Sequence, residues 1–201
     1  LLNPKLHTSF KIELESRYRP NFIFDSERIQ INDFELHAFI EGQSIFSRVK
    51  KQEQDIDVDL KVLLTTSGTT GSPKFVKLSE NNLIANALSI SEYLPIESKD
   101  CTPLNLAIYY SYGLSILTSN SLHGGTIVCT NKDIINKEFW VDFEKFGYSS
   151  LAGVPYMYEM LNRIGFLKKN YESLRYMTQA GGKLNDKLIE LFYHHLSQTK
   201  N

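Results

Sequence analysis

The stretch Leu60-Lys-Val-Leu-Leu-Thr-Thr-Ser-Gly-Thr-Thr-Gly-Ser-Pro-Lys74 joins an apolar strand pattern to a loop of hydroxyl residues and glycines. Threonine and serine side chains supply hydrogen-bond donors, Gly68 and Gly71 allow close backbone approach, and Lys74 adds a cation. This combination predicts a loop that binds a polyphosphate, with a plain polar turn between two strands as the alternative. It is not a Walker loop, because Pro73 occupies the position of that motif's second glycine.

Composition restricts the class of protein. The chain has 201 residues, 42% of them hydrophobic and 22% charged, which is typical of a globular domain with a buried core. The net charge of -1 gives no electrostatic signal for nucleic acid. No apolar run reaches the roughly 18 residues that indicate a membrane span, so we expect no span and a cytoplasmic location. Cys101 and Cys129 are predicted to be buried, unpaired side chains.

The order of apolar segments predicts an α/β fold with a largely parallel sheet flanked by helices. A helix is expected before Pro20, and the charged stretch 47–59 is interpreted as a solvated linker. Later helices are predicted at 80–93, 112–122, 136–146, 155–167 and 184–196. Strands are predicted at 22–24, 36–40, 60–66, 75–78, 104–108, 126–129, 149–152 and 176–179.

Ligands of open α/β sheets bind beyond the carboxyl ends of the strands. That rule selects the loops 65–74, 109–113, 152–155 and 179–183, which together could enclose one small molecule. The tyrosines of the second loop could equally be packing residues of the core. The five histidines are isolated or lack partners at ligand spacing, so no metal site is predicted.

The loop at 65–74 resembles the Ser/Thr-Gly-rich signature of the adenylate-forming (AMP-binding) superfamily, which includes acyl-CoA synthetases and other acid–thiol ligases. Three later segments resemble further landmarks of that family: Tyr-Ser-Tyr-Gly-Leu at 110–114, Gly-Val-Pro-Tyr-Met-Tyr at 153–158 and Gln-Ala-Gly-Gly-Lys-Leu at 179–184. Their order and spacing agree across residues 60–192, and more loosely from residue 1.

The resemblance implies a set of site residues. Lys74 and Tyr110 would be catalytic, and Tyr110 would face the substrate carboxylate. The other substrate-binding residues would be Gly113, Gly153 and Val154. The nucleotide would be bound by Thr66, Ser67, Gly68, Thr69, Thr70, Gly71, Lys74, Gln179, Ala180, Gly181, Gly182 and Lys183.

The chain departs from the family pattern at Phe75, Glu80 and Ala107, which replace a glycine, a histidine and a proline. The family's magnesium-binding glutamate and C-terminal lysine are expected beyond Asn201. We therefore expect residues 1–201 to be a partial N-terminal AMP-binding domain, with 1–59 as its leading part and 60–201 as the nucleotide- and acyl-binding subdomain. The C-terminal domain is expected to be absent, and the isolated chain inactive.

The function implied by the resemblance is adenylation of a carboxylic acid with ATP, release of pyrophosphate, and thioester formation with CoA or a carrier thiol. ATP, Mg²⁺ and CoA would be the cofactors. The partners would be a small acyl or aryl acid and, as alternative acceptor, an acyl or peptidyl carrier protein, without nucleic acid. Two alternatives stay open: an amino-acid adenylation domain of a peptide synthetase, and a non-catalytic nucleotide- or phosphate-binding module. The loop 109–113 contains no aspartate to pair with a substrate ammonium group, which favours an acyl or aryl acid.

Overall fold

A computed structural model describes residues 1–25, 27–28, 30–51, 53–66 and 74–198 of the chain. The described chain forms two compact units, Leu1–Leu60 and Lys61–Asn201. Most of the predicted phosphate loop, residues 67–73, lies outside the described residues, as do the side chains of Thr66 and Lys74.

The first unit is a helix followed by an antiparallel sheet. Helix α1 (Thr8–Tyr18) ends at Arg19, whose φ of 43° is left-handed, directly before the predicted stop at proline. Strands β1 (Phe22–Asp25), β2 (Phe34–Ile40) and β3 (Gln43–Arg48) pair in the order β1-β3-β2. The sequence prediction missed β3, and it wrongly included the end of that strand in the charged linker.

Charged side chains connect α1 to the segment that follows β1. The Arg28 guanidinium lies 2.6 Å from both Glu15 and Asp25, and the Lys11 ammonium lies 3.4 Å from Asp25. Burial alone would raise the pKa of Asp25, but hydrogen bonds from the Glu27 backbone N–H and from Arg28 outweigh it, so the net pKa is lowered. The carboxylate is therefore held in its charged form by its neighbours.

The second unit alternates strands and helices, as predicted for an α/β fold. Its strands are β4 (Leu60–Thr66), β5 (Lys74–Ser79), β6 (Cys101–Leu104), β7 (Thr126–Cys129), β8 (Ser150–Gly153) and β9 (Tyr176–Gln179). Its helices are α2 (Glu80–Ser91), α3 (Ser111–Leu122), α4 (Lys137–Phe146), α5 (Pro155–Arg163) and α6 (Asp186–Gln198), with a 3₁₀ turn at Phe166–Lys168. A capping box between Ser79 and Asn82 begins α2 at the predicted position.

The strands pair in three groups. Strand β4 is the neighbour of β5, while β6 pairs with β7 and β8 with β9, both in parallel. The two parallel pairs lie side by side, because the Ser149 N–H donates to the Cys101 carbonyl over 2.8 Å. Parallel strands in sequential βαβ order agree with the predicted fold class.

The parallel strands separate two layers of helices. On one side, α4, α5 and α6 pack an aromatic core against Leu151 of β8. This core includes Phe139, Phe143, Tyr148, Tyr158, Phe166 and Phe192. Alternate residues of the strands, such as Ser150 and Ala152, point to the other side, where α2 and α3 lie. One face of the sheet is therefore the core, and the other borders a cavity.

Three sequence predictions for this unit were wrong in detail. The strand predicted at 104–108 lies at Cys101–Leu104, because the apolar residues after Leu104 form a loop beneath α3. The helix predicted to reach residue 167 ends at Arg163, since Gly165 adopts a φ of 81°. Cys129 is exposed and Cys101 only partly buried, although both are free thiols as expected.

Candidate active site

Two of the predicted motifs meet at the carboxyl ends of β8 and β9. A Cβ built on Gly181 would lie 3.3 Å from Val154, and one on Gly182 would lie 3.3 Å from Pro155. The Gln179 amide nitrogen donates to the Gly182 carbonyl over 2.8 Å, and this bond closes the turn. The structure thus brings together the segments 153–155 and 179–183, which the sequence places 24 residues or more apart.

Gly113 has a clear structural role. A Cβ at this position would lie 2.3 Å from the backbone oxygen of Ala107 and 2.7 Å from that of Leu106. Because only glycine permits this approach, the first turn of α3 can dock onto the loop that leaves β6. Whether Gly113 also contacts a substrate stays a prediction.

Tyr110 lies at the start of α3. It is the N-cap residue of α3, its side chain is 59% exposed, and its ring lies 4.6 Å from that of Tyr109. An exposed phenol at a helix start is available to a ligand, so the predicted carboxylate-facing role is compatible with its position. Burial raises the pKa of the neighbouring Tyr109.

Two further tyrosines connect α3 and α5 to β9, and the list of predicted site residues omitted them. The Tyr112 hydroxyl lies 2.7 Å from that of Thr178, and the Tyr158 hydroxyl donates to the Thr178 carbonyl over 2.9 Å. Burial raises the pKa of both phenols, so they stay protonated at neutral pH. These bonds fix the helices around the strand that leads into the Gly181 turn.

A cavity of about 620 Å³ lies between α2 and α3 on one side and β6, β8 and β9 on the other. Its apolar wall includes Ile90, Leu94, Ile96 and Ile116. Gln179, Ala180 and Gly181 also line it, so the cavity reaches the predicted nucleotide turn. Its volume lies within the usual range for small-molecule sites.

The cavity also contains a buried polar network that sequence reasoning missed. The Asn120 amide nitrogen donates to the Ile116 carbonyl over 2.9 Å, and the Thr102 hydroxyl donates to the Asn120 amide oxygen over 2.9 Å. The Ser150 hydroxyl lies 2.9 Å from that of Thr102. The three side chains come from α3, β6 and β8, so no local sequence signal could have found them.

Most of the residues that are predicted to bind phosphate lie outside the described part of the chain. Ser67, Gly68, Thr69, Thr70 and Gly71 lie outside the described residues, and their predicted roles stay predictions, as do those of Thr66 and Lys74. Lys183 is exposed beside the Gly182 turn.

The described residues contain neither a metal-binding group nor a membrane-spanning helix. Among them, no group of three or more His, Cys, Asp or Glu side chains could hold a metal ion. None of the helices there combines the length and apolarity needed to cross a bilayer.

The sequence of residues 15–200 matches a model of the AMP-binding enzyme family. The chain belongs to this family. The match confirms the family predicted from the four motifs, and with it the α/β fold class. The loops at the carboxyl ends of β4, β6, β8 and β9 all lie within the matched range.

Among curated proteins, members of the AMP-binding family are similar to this chain over part of their length. A 2-succinylbenzoate–CoA ligase of Bacillus cytotoxicus is 29% identical over 173 residues, which are 84% of this chain and 34% of that protein. A very long-chain fatty acid transport protein of Cochliobolus heterostrophus is 33% identical over 88 residues, 43% of this chain and 14% of that protein. The chain thus spans about a third or less of these relatives.

A solved structure of the AMP-binding family shows the same fold. It is O-succinylbenzoate coenzyme A synthetase of Bacillus subtilis in complex with AMP, with a TM-score of 0.58 and 26% identity. The superposition covers 66% of this chain and 27% of that protein. The predicted similarity to acyl- and aryl-CoA ligases is confirmed by these relatives.

Proposed function

We propose that the whole protein to which this chain belongs activates a carboxylic acid with ATP and then transfers the acyl group to the thiol of CoA. The observation that carries the proposal is the contact of segment 153–155 with the turn 179–183, whose residues Gln179, Ala180 and Gly181 line a cavity of about 620 Å³. In a protein of the AMP-binding family, this arrangement supports an acid pocket beside a nucleotide-binding turn.

The acid would enter the cavity with its carboxylate at the carboxyl ends of β6 and β8. Tyr110 lies exposed at the start of α3, where its phenol can donate a hydrogen bond to a carboxylate oxygen. Gly153 ends β8, and a Cβ there would lie 3.1 Å from the Tyr158 ring, so little space remains beside it. Because Tyr158 belongs to the aromatic core, glycine at this position lets α5 pack closely against the end of the strand.

The adenine side of the nucleotide would lie along the turn 179–183. Gly181 has a φ of 83°, and Gly181 and Gly182 are exposed at this turn without a side chain, so a planar ring can approach the backbone closely. The bond from Gln179 to the Gly182 carbonyl holds the turn in that shape. The turn at Gly181 and Gly182 therefore fits the edge of a planar ring. Lys183 supplies a cation next to this turn.

The reaction needs the carboxylate and the α-phosphate of ATP in line, and cationic groups near the departing pyrophosphate. Lys74 and the hydroxyls of residues 66–70 would serve the pyrophosphate, with Mg²⁺ as counter-ion. CoA is proposed as acceptor because the B. cytotoxicus relative is named a CoA ligase. Cytoplasmic location and a carrier protein as alternative acceptor stay predictions.

The test is Lys74→Ala in the whole protein. Removing one charge-stabilising donor from such a site typically lowers turnover by roughly 100- to 1,000-fold, so acid-dependent ATP–pyrophosphate exchange should fall by that order. The fold should be unchanged, as judged by circular dichroism and the thermal midpoint.

The matched control is Lys77→Ala, because Lys77 lies on the same strand with an exposed side chain. It should keep the exchange rate of the unmodified protein. Equal exchange rates for the two variants would contradict the role assigned to the loop at 65–74. Loss of activity in both would show that the substitutions act through strand β5 as a whole.

A further inference from the structure

The cavity has a polar end and an apolar middle, and this contrast bears on which acid it accepts. Thr102, Asn120 and Ser150 are each at most 4% exposed, and all three line the cavity. Between them and the carboxyl ends of the strands lie apolar side chains such as Ile116. Ser150 is three residues from Gly153, which corresponds to about 10 Å along a strand.

The hydrogens of this network can be assigned from its bonds. A backbone carbonyl only accepts, so the bond from Asn120 to Ile116 fixes the amide nitrogen as donor and leaves the amide oxygen as acceptor. Thr102 must then give its single hydrogen to Asn120. Ser150 must consequently give its own hydrogen to the Thr102 oxygen.

Three of the four polar hydrogens in the network are therefore committed to partners within the chain. The Tyr176 phenol also interacts with Ser150, which shields part of that oxygen. What remains at this end of the cavity is one N–H of Asn120 and a larger acceptor capacity, on the hydroxyl oxygens and on the amide oxygen of Asn120. A ligand group that donates a hydrogen bond satisfies this capacity, whereas a methyl group does not.

Resting on the proposed function, we infer that the acid carries a hydrogen-bond donor, a hydroxyl or an amine or amide N–H, at the end remote from its carboxylate. Its body is an aryl or short alkyl group that spans about 10 Å, from the carboxyl edge of β8 to Ser150. Ser150, Thr102 and Asn120 are the residues that select this donor. An unsubstituted fatty acid would reach the same oxygens with a group that cannot bond to them.

The test compares matched acids in ATP–pyrophosphate exchange by the whole protein. Para-hydroxyphenylpropanoic acid carries the donor, phenylpropanoic acid lacks it, and the para-methoxy compound retains an acceptor without the donor. One neutral hydrogen bond is worth about 1 kcal/mol, so kcat/KM for the hydroxylated acid should exceed both others by roughly 3- to 10-fold. A second pair, octanoic acid and its terminally hydroxylated form, should show the same order.

The substitution that probes the network is Ser150→Ala. It removes the outermost hydroxyl and leaves the bond from Thr102 to Asn120 in place. The ratio of kcat/KM between hydroxylated and unsubstituted acid should fall to about 1. A purely structural loss would lower both acids equally and leave the ratio unchanged. Ser121→Ala is the control, since Ser121 lies exposed on α3 next to Asn120 but outside the cavity lining.

Three results would overturn the inference. One is equal use of all three aryl acids, the second is a preference for the methoxy compound, and the third is a ratio that survives Ser150→Ala. Absence of exchange with these acids and with a panel from acetate to dodecanoate and benzoates has a different meaning. It would refute the proposed function itself, and the inference with it.

Discussion

The two ends of the parallel strands β6, β8 and β9 are stabilised by different interactions. At the amino end, the Asp100 side chain is fully buried and accepts hydrogen bonds from Arg175 over 2.5 Å and from the Glu97 N–H over 2.8 Å. The Arg175 guanidinium also donates to the Pro95 carbonyl over 3.0 Å. These bonds tie the segment before β6 to the residue before β9.

At the carboxyl end, close backbone approaches replace ionic bonds. Gly113 lies against Ala107, and Gly181 and Gly182 lie against Val154 and Pro155. At this end, Gln179, Ala180 and Gly181 of the predicted nucleotide turn line the cavity. Among the residues that the structure describes, ionic bonds hold the amino end together, whereas glycines allow close packing at the carboxyl end. Substitutions should therefore separate stability from substrate binding.

The largest effect on stability is expected from Asp100→Ala, which removes the buried partner of Arg175. Breaking a buried ion pair costs about 3 to 5 kcal/mol, and we expect about 3, because Arg175 is 27% exposed and keeps Glu97 and Pro95 as partners. Urea denaturation of the chain measures this loss. Glu97→Gln is the control, since Glu97 is 45% exposed and its substitution should change stability much less. Similar losses for both variants would contradict the dominance of the buried carboxylate.

An intermediate effect is expected from Gly113→Ala at the carboxyl end. The new Cβ would lie 2.3 Å from the Ala107 oxygen, so α3 or the loop before it must move. Overpacking costs about 1 to 3 kcal/mol and the better helix propensity of alanine returns up to about 1, so a net loss of about 1 to 2 kcal/mol is expected.

The KM for the acid should rise in the same Gly113→Ala variant of the whole protein, because the displaced loop carries Tyr110. Gly125→Ala is the matched control, since its Cβ would meet the nearest atom at an ordinary 3.4 Å. An unchanged acid KM in a destabilised Gly113→Ala variant would show that this end, too, serves stability alone.

The smallest effect on stability is expected from Gln179→Ala, which removes the bond to the Gly182 carbonyl. Stability should change by no more than about 1 kcal/mol, but the KM for ATP should rise by roughly 3- to 10-fold, because the turn loses the bond that fixes its shape. Steady-state kinetics of the whole protein measure it, with exposed Gln198→Ala as control. An unchanged KM for ATP would show that this turn is not part of the nucleotide site.

The sequence predicted those parts of the fold that depend on local patterns. The bounds of β4 and β7, the cap of α2 and the Gly181 turn each follow from residues that are close in the chain. The predicted loops 152–155 and 179–183 lie at the carboxyl ends of β8 and β9, and that they form the site stays a prediction. Short-range propensity and backbone geometry were sufficient there.

Other features depended on contacts that a local pattern does not contain. Residues 104–108 are mostly apolar because they contact the first turn of α3, so their apolarity indicates this contact and not an extended strand. Strand β3 mixes polar and apolar residues, and only pairing on both of its edges makes it a strand. Asp100 and Arg175 are 75 residues apart, and Thr102 and Ser150 are 48 apart, so their bonds follow from the tertiary fold alone.

Strand β8 is buried along its whole length, and its side chains alternate between two compartments. Leu151 belongs to the aromatic core, whereas Ser150 and Ala152 border the cavity. A substitution at either cavity-facing position can alter the shape or polarity available to an acid without changing a core contact. Under the proposed function, the strand would let substrate preference diverge during evolution while the core packing is kept, and a single-residue shift in its register would exchange the two compartments.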